Sequence, residues 1–565
     1  MAYVSIDKPQ NKYYRNKAVR KVDPNKTMYR TIFDLNCNNM DWNAISYMNK
    51  DYTYSDLKKM VDNAASCFFE DGIKEGDVVL VGLSNTPEAI VSLLALNKIG
   101  AISKWFDLRA SESDIEEYLD QNNCEYVIAL DMLINKIKNL NAIERVKKVY
   151  VVSPVAFSNI GIRFLYKLKK RYSIPKEKKY IKYKKVLKEE VGKVEESTFC
   201  KEKPAIMIQS SGTTGKPKVI VHSNYSATSA VKKLAYSDLP IEEGKMLLDL
   251  LPPWIAYAIG NAILYPLSLG CKVILSPTFE PNAIMAYLGK FTISMAAPFH
   301  YRYLRDNYKT LKKGVLKRFE DSAECFISGG DKISVEENRD FETLFGIPVV
   351  NGYGNNEGWG CLTVNSVIHN HYGSVGIPKY METIIAWDSN KKCELPYNEV
   401  GEICALTDTM FLEYANNKDD TSLVKQTHSD GKVWLHTGDL GYIDNDGFVH
   451  LEGRMRRVIV RGGFRISAYT IEDKITEHKS VKECVAVEVE DLLEEHVPMA
   501  FVVLVEGADQ SEIKKQLLKK CKNELKEYEI PKYFEFVTEL PYTQNGKYDF
   551  RKLEIIGNNS IKQDK

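Results

Sequence analysis

The sequence lacks the features that mark several classes of protein. Its 11 cysteines are scattered, without a C-x-x-C pair or a neighbouring histidine pattern, so the spacing of a zinc site or of a disulfide framework is absent. The 77 basic and 76 acidic residues leave a formal charge of +1, which indicates no nucleic-acid partner. Reduced thiols packed as small apolar side chains in a cytoplasmic protein explain the cysteines best.

Long apolar segments are also missing. No uninterrupted apolar run approaches the roughly 18 residues that a membrane span needs. The nearest run, 262–275, is interrupted by Ser268, Gly270 and Lys272. The N-terminal segment, 1–26, is polar and basic without an apolar centre, so we expect no secretory signal. The length of 565 residues predicts two to four domains of an ordinary soluble protein.

Helical and strand patterns alternate over the first 150 residues. Apolar residues at helical spacing over 57–68 predict a helix, with Thr53 and Asp56 placed to cap it. A second helix is predicted from Thr86-Pro87 to near Gly100. Strand-like segments occur at 78–81, 126–130 and 149–152. This alternation is typical of crossover units on a mainly parallel sheet.

The strongest local signal is the segment 210–218, which reads Ser-Ser-Gly-Thr-Thr-Gly-Lys-Pro-Lys after an apolar, strand-like run. Glycines let the backbone bend and direct its N–H groups at a polyphosphate, while hydroxyls and lysines add donors and positive charge. The segment is not a Walker loop, because two residues rather than four separate its glycines and Pro217 follows the lysine. We therefore predict a phosphate-binding loop of another kind.

With this loop, four further motifs in order resemble the acyl-adenylate-forming superfamily, which includes acyl-CoA synthetases, peptide-synthetase adenylation domains and luciferases. The resemblance extends from about Tyr54 to Arg551. The four motifs are Asn351-Gly352-Tyr353-Gly354-Asn355-Asn356-Glu357, Thr437-Gly438-Asp439, Gly453-Arg454 with the following Gly462-Gly463-Phe464-Arg465-Ile466, and Pro541-Tyr542-Thr543-Gln544-Asn545-Gly546-Lys547.

The resemblance implies an α/β fold in two domains. Residues 1–453 would form a large N-terminal domain of mainly parallel sheets with crossover helices. Residues 454–565 would form a small, mobile α+β domain, joined by a hinge at 454–456. The local pattern agrees, since apolar strands at 485–489 and 501–505 and a helix near 511–528 follow the hinge.

The resemblance also implies roles for single residues. Lys547 would bridge the substrate carboxylate and the α-phosphate, and Glu357 would bind Mg²⁺, which suits one hard carboxylate beside phosphate ligands. These two are the predicted catalytic residues. Gly462 and Gly463 would line the path of the thiol. The implied ATP-binding residues are Ser210, Ser211, Gly212, Thr213, Thr214, Gly215, Lys216, Lys218, Gly330, Asp331, Tyr353, Gly354, Asn356, Asp439 and Arg454.

The acid is predicted to have an apolar body. Adenylation domains for amino acids resemble one another in an aspartate that pairs with the substrate ammonium, and this position falls near Tyr257, where no carboxylate occurs. A buried ammonium without a partner would cost several kcal/mol. The aromatic residues that we expect to line an acyl pocket are Trp254, Tyr257, Phe299 and Trp359.

Residues 161–190 carry 12 Lys or Arg against three Glu, with Phe164, Leu165, Tyr166 and Tyr172 interleaved. A solvated surface hairpin is the first interpretation. A patch for weak contact with a membrane surface or an acidic partner is the second.

The predicted function is ATP-dependent, AMP-forming activation of a small-molecule carboxylic acid, followed by transfer to a thiol, in cytoplasmic fatty acid metabolism. ATP, Mg²⁺ and CoA are the expected cofactor and co-substrates. Two alternatives stay open: a stand-alone ligase that loads an acyl carrier protein, and a degenerate ATP-binding protein without catalysis.

Overall fold

The computed structural model of the protein describes residues 3–158, 160–169, 173–188, 192, 194–209, 218–331, 333–461, 464–491, 494–542 and 548–563. Several predicted site residues lie outside this set. They are the loop residues Ser210, Ser211, Gly212, Thr213, Thr214, Gly215 and Lys216, the glycines Gly462 and Gly463, and Lys547.

The two helices predicted near the N-terminus are confirmed. Thr53 and Asp56 exchange side chain-to-backbone hydrogen bonds in a capping box that begins helix Tyr54–Glu70. Helix Pro87–Ile99 ends at Gly100, whose φ of +85° is a conformation that glycine adopts without steric cost. All of its residues except Lys98 are buried, because this helix packs within the core that the first two sheets share.

The first sheet carries the predicted crossover units. Six of its eight strands are parallel to one another. The remaining two, Val219–Ser223 and Glu413–Tyr414, are added at one edge by antiparallel pairing. The order is Glu413–Tyr414, Val219–Ser223, Pro204–Gln209, Ile102–Trp105, Val78–Gly82, Tyr126–Leu130, Lys148–Val152 and Tyr180–Lys182.

The second sheet is also mainly parallel. Its strands from Val349–Tyr353 to Asn43–Tyr47 are parallel, and antiparallel strands are added at both edges. The order is Ile377–Pro378, Thr363–Val364, Val349–Tyr353, Cys325–Ser328, Ile293–Ala296, Met246–Asp249, Lys272–Leu275, Asn43–Tyr47 and Lys50–Thr53.

A third, antiparallel sheet completes the large domain. Its strands are Cys393–Glu394, Thr383–Asp388, Gly401–Leu406, Val433–Ile443, Lys425–Thr427 and Val449–Arg454. A π-helix, Ala258–Leu264, lies in the segment of the predicted acyl pocket. The other α-helices described before the third sheet's last strand are Val4–Asp7, Met28–Leu35, Glu112–Gln121, Ile134–Ile137, Ile160–Lys169, Tyr183–Val186, Asn224–Leu234, Tyr265–Ser268, Pro298–Asp306, Lys313–Ser322, Val335–Phe345 and Lys418–Val424.

A small α+β unit follows the third sheet, in agreement with the predicted fold class. A short 3₁₀ turn, Met455–Arg457, follows the last strand of the third sheet. The hydrophobic clusters of this unit consist of residues from Ile459 onward and do not include residues of the large domain. Its strands are Val458–Arg461, Phe464–Ser467, Val481–Asp491, Glu495–Leu504 and Tyr533–Phe536, and its α-helices are Ala468–Thr476, Gln510–Glu524 and Phe550–Gln563.

The hairpin interpretation of 161–190 is wrong. Helix Ile160–Lys169 forms instead, followed by strand Tyr180–Lys182 and the short helix Tyr183–Val186. The strand adds to the parallel edge of the first sheet, and among the described residues no preceding strand of its own segment pairs with it. Within the part of the chain that the structure describes, no helix combines the length and the apolar character needed to cross a membrane.

Candidate active site

The predicted ATP-binding segments meet where parallel strands of the two large sheets end. Strand Cys325–Ser328 leads into Gly330 and Asp331, and strand Val349–Tyr353 leads into Gly354 and Glu357. In the first sheet, strands Pro204–Gln209 and Val219–Ser223 pair at Gln209 and Val219, on either side of the predicted phosphate loop. Ligands in α/β folds bind at such carboxyl ends, so the fold brings these motifs to one place.

Asp439 joins two other predicted residues. One of its carboxylate oxygens accepts a hydrogen bond of 2.6 Å from the Tyr353 hydroxyl, and the other lies 3.0 Å from Nε of Arg454. Asp439 and Arg454 face each other across two antiparallel strands, and the Asp439 charge raises the pKa of Arg454. Asp439 is 5% exposed, and a carboxylate accepts hydrogen bonds from several donors, which suits an acceptor for ribose hydroxyls.

The turn that carries Asp439 is held by more than its own backbone. Glu402 on the neighbouring strand accepts a hydrogen bond from the Gly438 N–H at 3.0 Å, and the Thr437 hydroxyl donates to the carbonyl of Ile403 at 2.6 Å. The other oxygen of Glu402 lies 2.8 Å from Nδ1 of His436. These contacts fix the direction of the Asp439 side chain.

Glu357 is held beside the end of the phosphate loop. The Tyr414 hydroxyl donates to its Oε1 at 2.7 Å, and Lys218 lies 5.0 Å from the Tyr414 ring while pairing with Asp420 at 2.6 Å. The other oxygen of Glu357 makes no hydrogen bond among the described residues. A half-buried carboxylate that is fixed through one oxygen and open at the other fits a hard cation such as Mg²⁺.

Asn356 is fixed on both its backbone and its side chain. Its carbonyl lies 2.7 Å from Nε2 of the buried His222, and its Oδ1 accepts a hydrogen bond from the Ala256 N–H at 3.1 Å. Burial lowers the pKa of His222 to about 3, so the ring is neutral and Nε2 donates its proton. The side-chain NH₂ of Asn356 is then the group available to donate to a phosphate.

Two glycines bring the Glu357 segment against the predicted acyl pocket. A Cβ at Gly354 would lie 2.7 Å from the carbonyl oxygen of Gly360. A Cβ at Gly360, which has a φ of +79°, would lie 2.4 Å from the backbone nitrogen of Tyr257. Such contacts are shorter than van der Waals separation, so only glycine allows the three backbones to pack this closely.

The acyl-pocket residues are brought together only in part. The Tyr257 ring lies 3.1 Å from where Gly329 would carry a Cβ, and the buried Trp359 lies 2.6 Å from the same position on Gly260. Trp254 packs edge-on against Phe279 at 5.3 Å, whereas Phe299 lies beside His300 at 4.2 Å. Tyr257 therefore packs against the segment that leads to Gly330, and Trp359 follows Glu357 by two residues.

A family model described as AMP-binding enzyme matches residues 34–415, and one described as AMP-binding enzyme C-terminal domain matches residues 470–547. The first match alone spans more than half of the 565 residues. The chain belongs to the AMP-binding enzyme family.

Similarity extends along almost the whole enzyme. It is 28% identical over 556 residues to a long-chain-fatty-acid–CoA ligase of Bacillus subtilis (strain 168), covering 95% of this chain and 96% of that one. It is 24% identical over 522 residues to 4-coumarate–CoA ligase 3 of Arabidopsis thaliana, covering 88% and 85%. The crystal structure of the anthranilate CoA ligase AuaEII in complex with anthranoyl-AMP superposes with a TM-score of 0.82 at 19% identity, covering 96% and 99%.

These matches confirm several predictions. They confirm the resemblance to the acyl-adenylate-forming superfamily and the fold class of a large α/β domain with a small C-terminal domain. They also confirm an AMP-forming acid–thiol ligase with ATP, Mg²⁺ and CoA. The domain boundary at 453–454 and the roles of single residues stay predictions.

The C-terminal domain of this AMP-binding enzyme meets the large domain beside Asp331. Tyr542 and Tyr548, which flank 543–547, both donate hydrogen bonds to the same Glu483 oxygen, at 2.8 and 3.3 Å. Tyr548 interacts electrostatically with Arg302, and Arg302 in turn with Asp331. Tyr542 also interacts electrostatically with Arg302, so the described residues on either side of the predicted catalytic segment lie within electrostatic range of the residues around Asp331.

Residues that the sequence did not single out hold the predicted ones in place. They are Tyr414 against Glu357, His222 against Asn356, and Glu402 against Gly438. Each is separated from its partner by at least 36 residues, so no local motif contains both. The apolar run that ends at His222 predicts a strand, but it does not predict the contact between His222 and Asn356.

Proposed function

We propose that this enzyme activates a carboxylic acid with an apolar body and transfers the acyl group to CoA. The observation that carries the proposal is the pairing of Asp439 with Tyr353 and Arg454, close to a Glu357 fixed by Tyr414. An acceptor for ribose, an aromatic ring for adenine and a carboxylate for a metal are the groups that an ATP site requires.

The reaction proceeds in two displacements. The acid carboxylate attacks the α-phosphorus of ATP and pyrophosphate leaves; the CoA sulfur then loses its proton, attacks the acyl carbon and displaces AMP. Asp439 and Tyr353 position the nucleoside, and Arg454 fixes the Asp439 carboxylate. Glu357 would hold Mg²⁺, which would supply positive charge to the phosphates. Lys547 stabilises the charge that develops between carboxylate and phosphate.

The apolar nature of the acid is supported by the groups around Tyr257. Asp249, the carboxylate that interacts electrostatically with Tyr257, is fully buried, and burial raises its pKa to about 8. A carboxyl that is mainly protonated at neutral pH is no partner for an ammonium. The similarity to a long-chain-fatty-acid–CoA ligase points the same way.

ATP–pyrophosphate exchange with a panel of acids tests the substrate class. We expect decanoate and hexadecanoate to support exchange, and leucine at the same concentration to give at most about a hundredth of that rate, because its ammonium would be desolvated without a partner. Faster exchange with amino acids than with apolar acids would contradict the proposal. The acceptor is tested by comparing CoA with acyl carrier proteins, and thioester formed only on a carrier protein would replace CoA by that partner.

We also propose that helix Ile160–Lys169 contacts an anionic membrane that supplies the acid. The helix turns its apolar residues outward: Ile160, Phe164, Leu165 and Leu168 are 79%, 60%, 58% and 68% exposed. In the described part of 160–188, seven lysines are exposed, and Glu177 is the one exposed acidic residue. Exposed apolar patches mark interaction sites, and cations near anionic lipid add about 1 kcal/mol each. The lysines are Lys167, Lys176, Lys178, Lys182, Lys184, Lys185 and Lys188.

Liposome sedimentation tests this contact. The wild type should sediment with vesicles of phosphatidylglycerol and phosphatidylcholine, and high salt should weaken the binding. A Phe164→Ser and Leu168→Ser double variant should lose about 10-fold or more in partitioning, since two apolar side chains no longer enter the bilayer. Leu423→Ser, at a residue 65% exposed on helix Lys418–Val424, is the matched control. Equal partitioning to neutral vesicles, or none, would refute the contact.

A further inference from the structure

A cavity lies beneath the inner face of helix Ile160–Lys169, apart from the ATP-binding segments. Its volume is about 730 Å³, within the range of small-molecule sites. Its wall is built from the turn at 48–50, the first turn of helix Pro87–Ile99, the segment 156–158 and the residues around helix Tyr183–Val186. None of these segments carries a residue of the predicted adenylate site.

Two buried polar groups in the cavity wall make no hydrogen bond to described residues. One is Oε2 of Glu88, whose residue is 2% exposed, and the other is Nε of Arg163. Orphan polar atoms of this kind are rare in folded proteins and require an explanation. Because they line the same cavity, a ligand with a polar head would satisfy both.

The charged residues of the cavity wall indicate which charge the polar head of the ligand carries. Besides Arg163, the wall contains Lys50, Lys184 and Lys188, and its one carboxyl is Glu88. Burial raises the pKa of Glu88 to about 8, so this carboxyl is mainly protonated at pH 7 and can donate a hydrogen bond. Donors and cations therefore face the cavity, and an anionic head is the complementary group.

The remaining wall is apolar. Met48, Met60, Phe157 and Leu187 line the cavity together with the cations. We propose that this cavity binds a single-chain amphipath with an anionic head, its head held by Arg163 and Glu88 and its chain by these four side chains. Methionine side chains adapt to chains of varied shape, which suits an alkyl ligand. Arg163 belongs to the helix proposed for membrane contact, so a ligand here would lie directly beneath that surface.

Calorimetric titration tests the site with three probes: dodecanoate, dodecyl phosphate and inorganic phosphate. The adenylate site is first filled with a dodecanoyl sulfamoyl-adenosine, a stable mimic of the acyl-adenylate. If this mimic does not bind, the result counts against the proposed function, and the cavity proposal is then tested with the three probes alone. With the mimic bound, we expect one further equivalent of dodecanoate or dodecyl phosphate to bind. Tighter binding of dodecyl phosphate would indicate that the natural ligand has a phosphate head. Tighter binding of dodecanoate would indicate that it is a free carboxylic acid.

Variants locate the binding. Arg163→Gln should weaken binding about 10-fold, because a charged hydrogen bond to the head is lost. Lys178→Gln, an exposed lysine of the same segment outside the cavity wall, should leave it unchanged. No second equivalent, equal loss in both variants, or inorganic phosphate binding as tightly as dodecyl phosphate would each overturn the proposal.

The pH dependence of dodecanoate binding reports on Glu88. Below about pH 8 its carboxyl is protonated and donates; above it, the carboxylate repels the head, so affinity should fall several-fold from pH 7 to pH 9. Lys50, Arg163, Lys184 and Lys188 face the same cavity. The tyrosines that interact with Glu88 stay neutral, since burial raises the pKa of Tyr47, Tyr52 and Tyr183. Glu88→Gln keeps a donor and should abolish the pH step; an unchanged step would overturn the assignment.

Discussion

Replacing Asp439 by alanine is expected to raise the KM for ATP and to lower kcat/KM for ATP by about 10²- to 10³-fold. A hydrogen bond to a charged acceptor contributes about 1.5–3 kcal/mol, and two ribose hydroxyls would lose that acceptor together. The loss should be larger than for a surface carboxylate because Asp439 is 5% exposed, where solvent screens charge only weakly. Initial-rate kinetics with ATP varied at saturating acid measure the effect.

The control for Asp439 is a carboxylate on the next turn. Asp446→Ala removes an exposed side chain that pairs with Lys12 and should leave the kinetics for ATP unchanged. Asp439→Ala also leaves the Tyr353 hydroxyl and Arg454 without their partner, so thermal unfolding must be measured beside the kinetics. If the alanine variant does not fold, Asp439→Asn, which keeps the size of the side chain, takes its place. A folded variant with wild-type KM for ATP would exclude Asp439 from the ribose site.

Lys547→Ala is expected to lower ATP–pyrophosphate exchange by about 10³-fold, yet to leave thioester formation from a supplied acyl-adenylate largely intact. The cation would stabilise charge only while the carboxylate attacks the α-phosphate, so its loss affects the first half-reaction. The position of Tyr548 near Arg302 supports the arrangement in which this part of the C-terminal domain faces the ATP-binding segments. Lys552→Ala, an exposed lysine of the following helix, should keep both half-reactions.

The reverse result is expected for Gly463→Leu. If this glycine leaves room for the pantetheine arm, a leucine side chain would block transfer to CoA while the adenylate still forms. Pyrophosphate exchange and thioester transfer are measured separately in both variants. Parallel losses of the two half-reactions in Lys547→Ala and in Gly463→Leu would refute a mechanism in which the small domain presents a different segment to each step.

The sequence by itself determined the local elements near the N-terminus and the order of the family motifs. The capping box at Thr53 and the helix ending at Gly100 lie where the pattern of residues places them, because capping and glycine conformation depend on neighbours a few residues apart. The order of the motifs was also enough to predict the family and the two-domain fold. Local chemistry and motif order thus require no knowledge of tertiary contacts.

Only the tertiary structure decided what holds those residues and what surrounds them. Glu357 receives its hydrogen bond from a tyrosine 57 positions later, and Asn356 is held by a histidine 134 positions earlier. The segment around Phe164 forms a helix with an exposed apolar face, although its charge pattern favoured a hairpin. Such contacts depend on which strands become neighbours. The free energy that decides the strand order comes from burial across the whole core. A short stretch of sequence therefore does not contain the information that specifies these contacts.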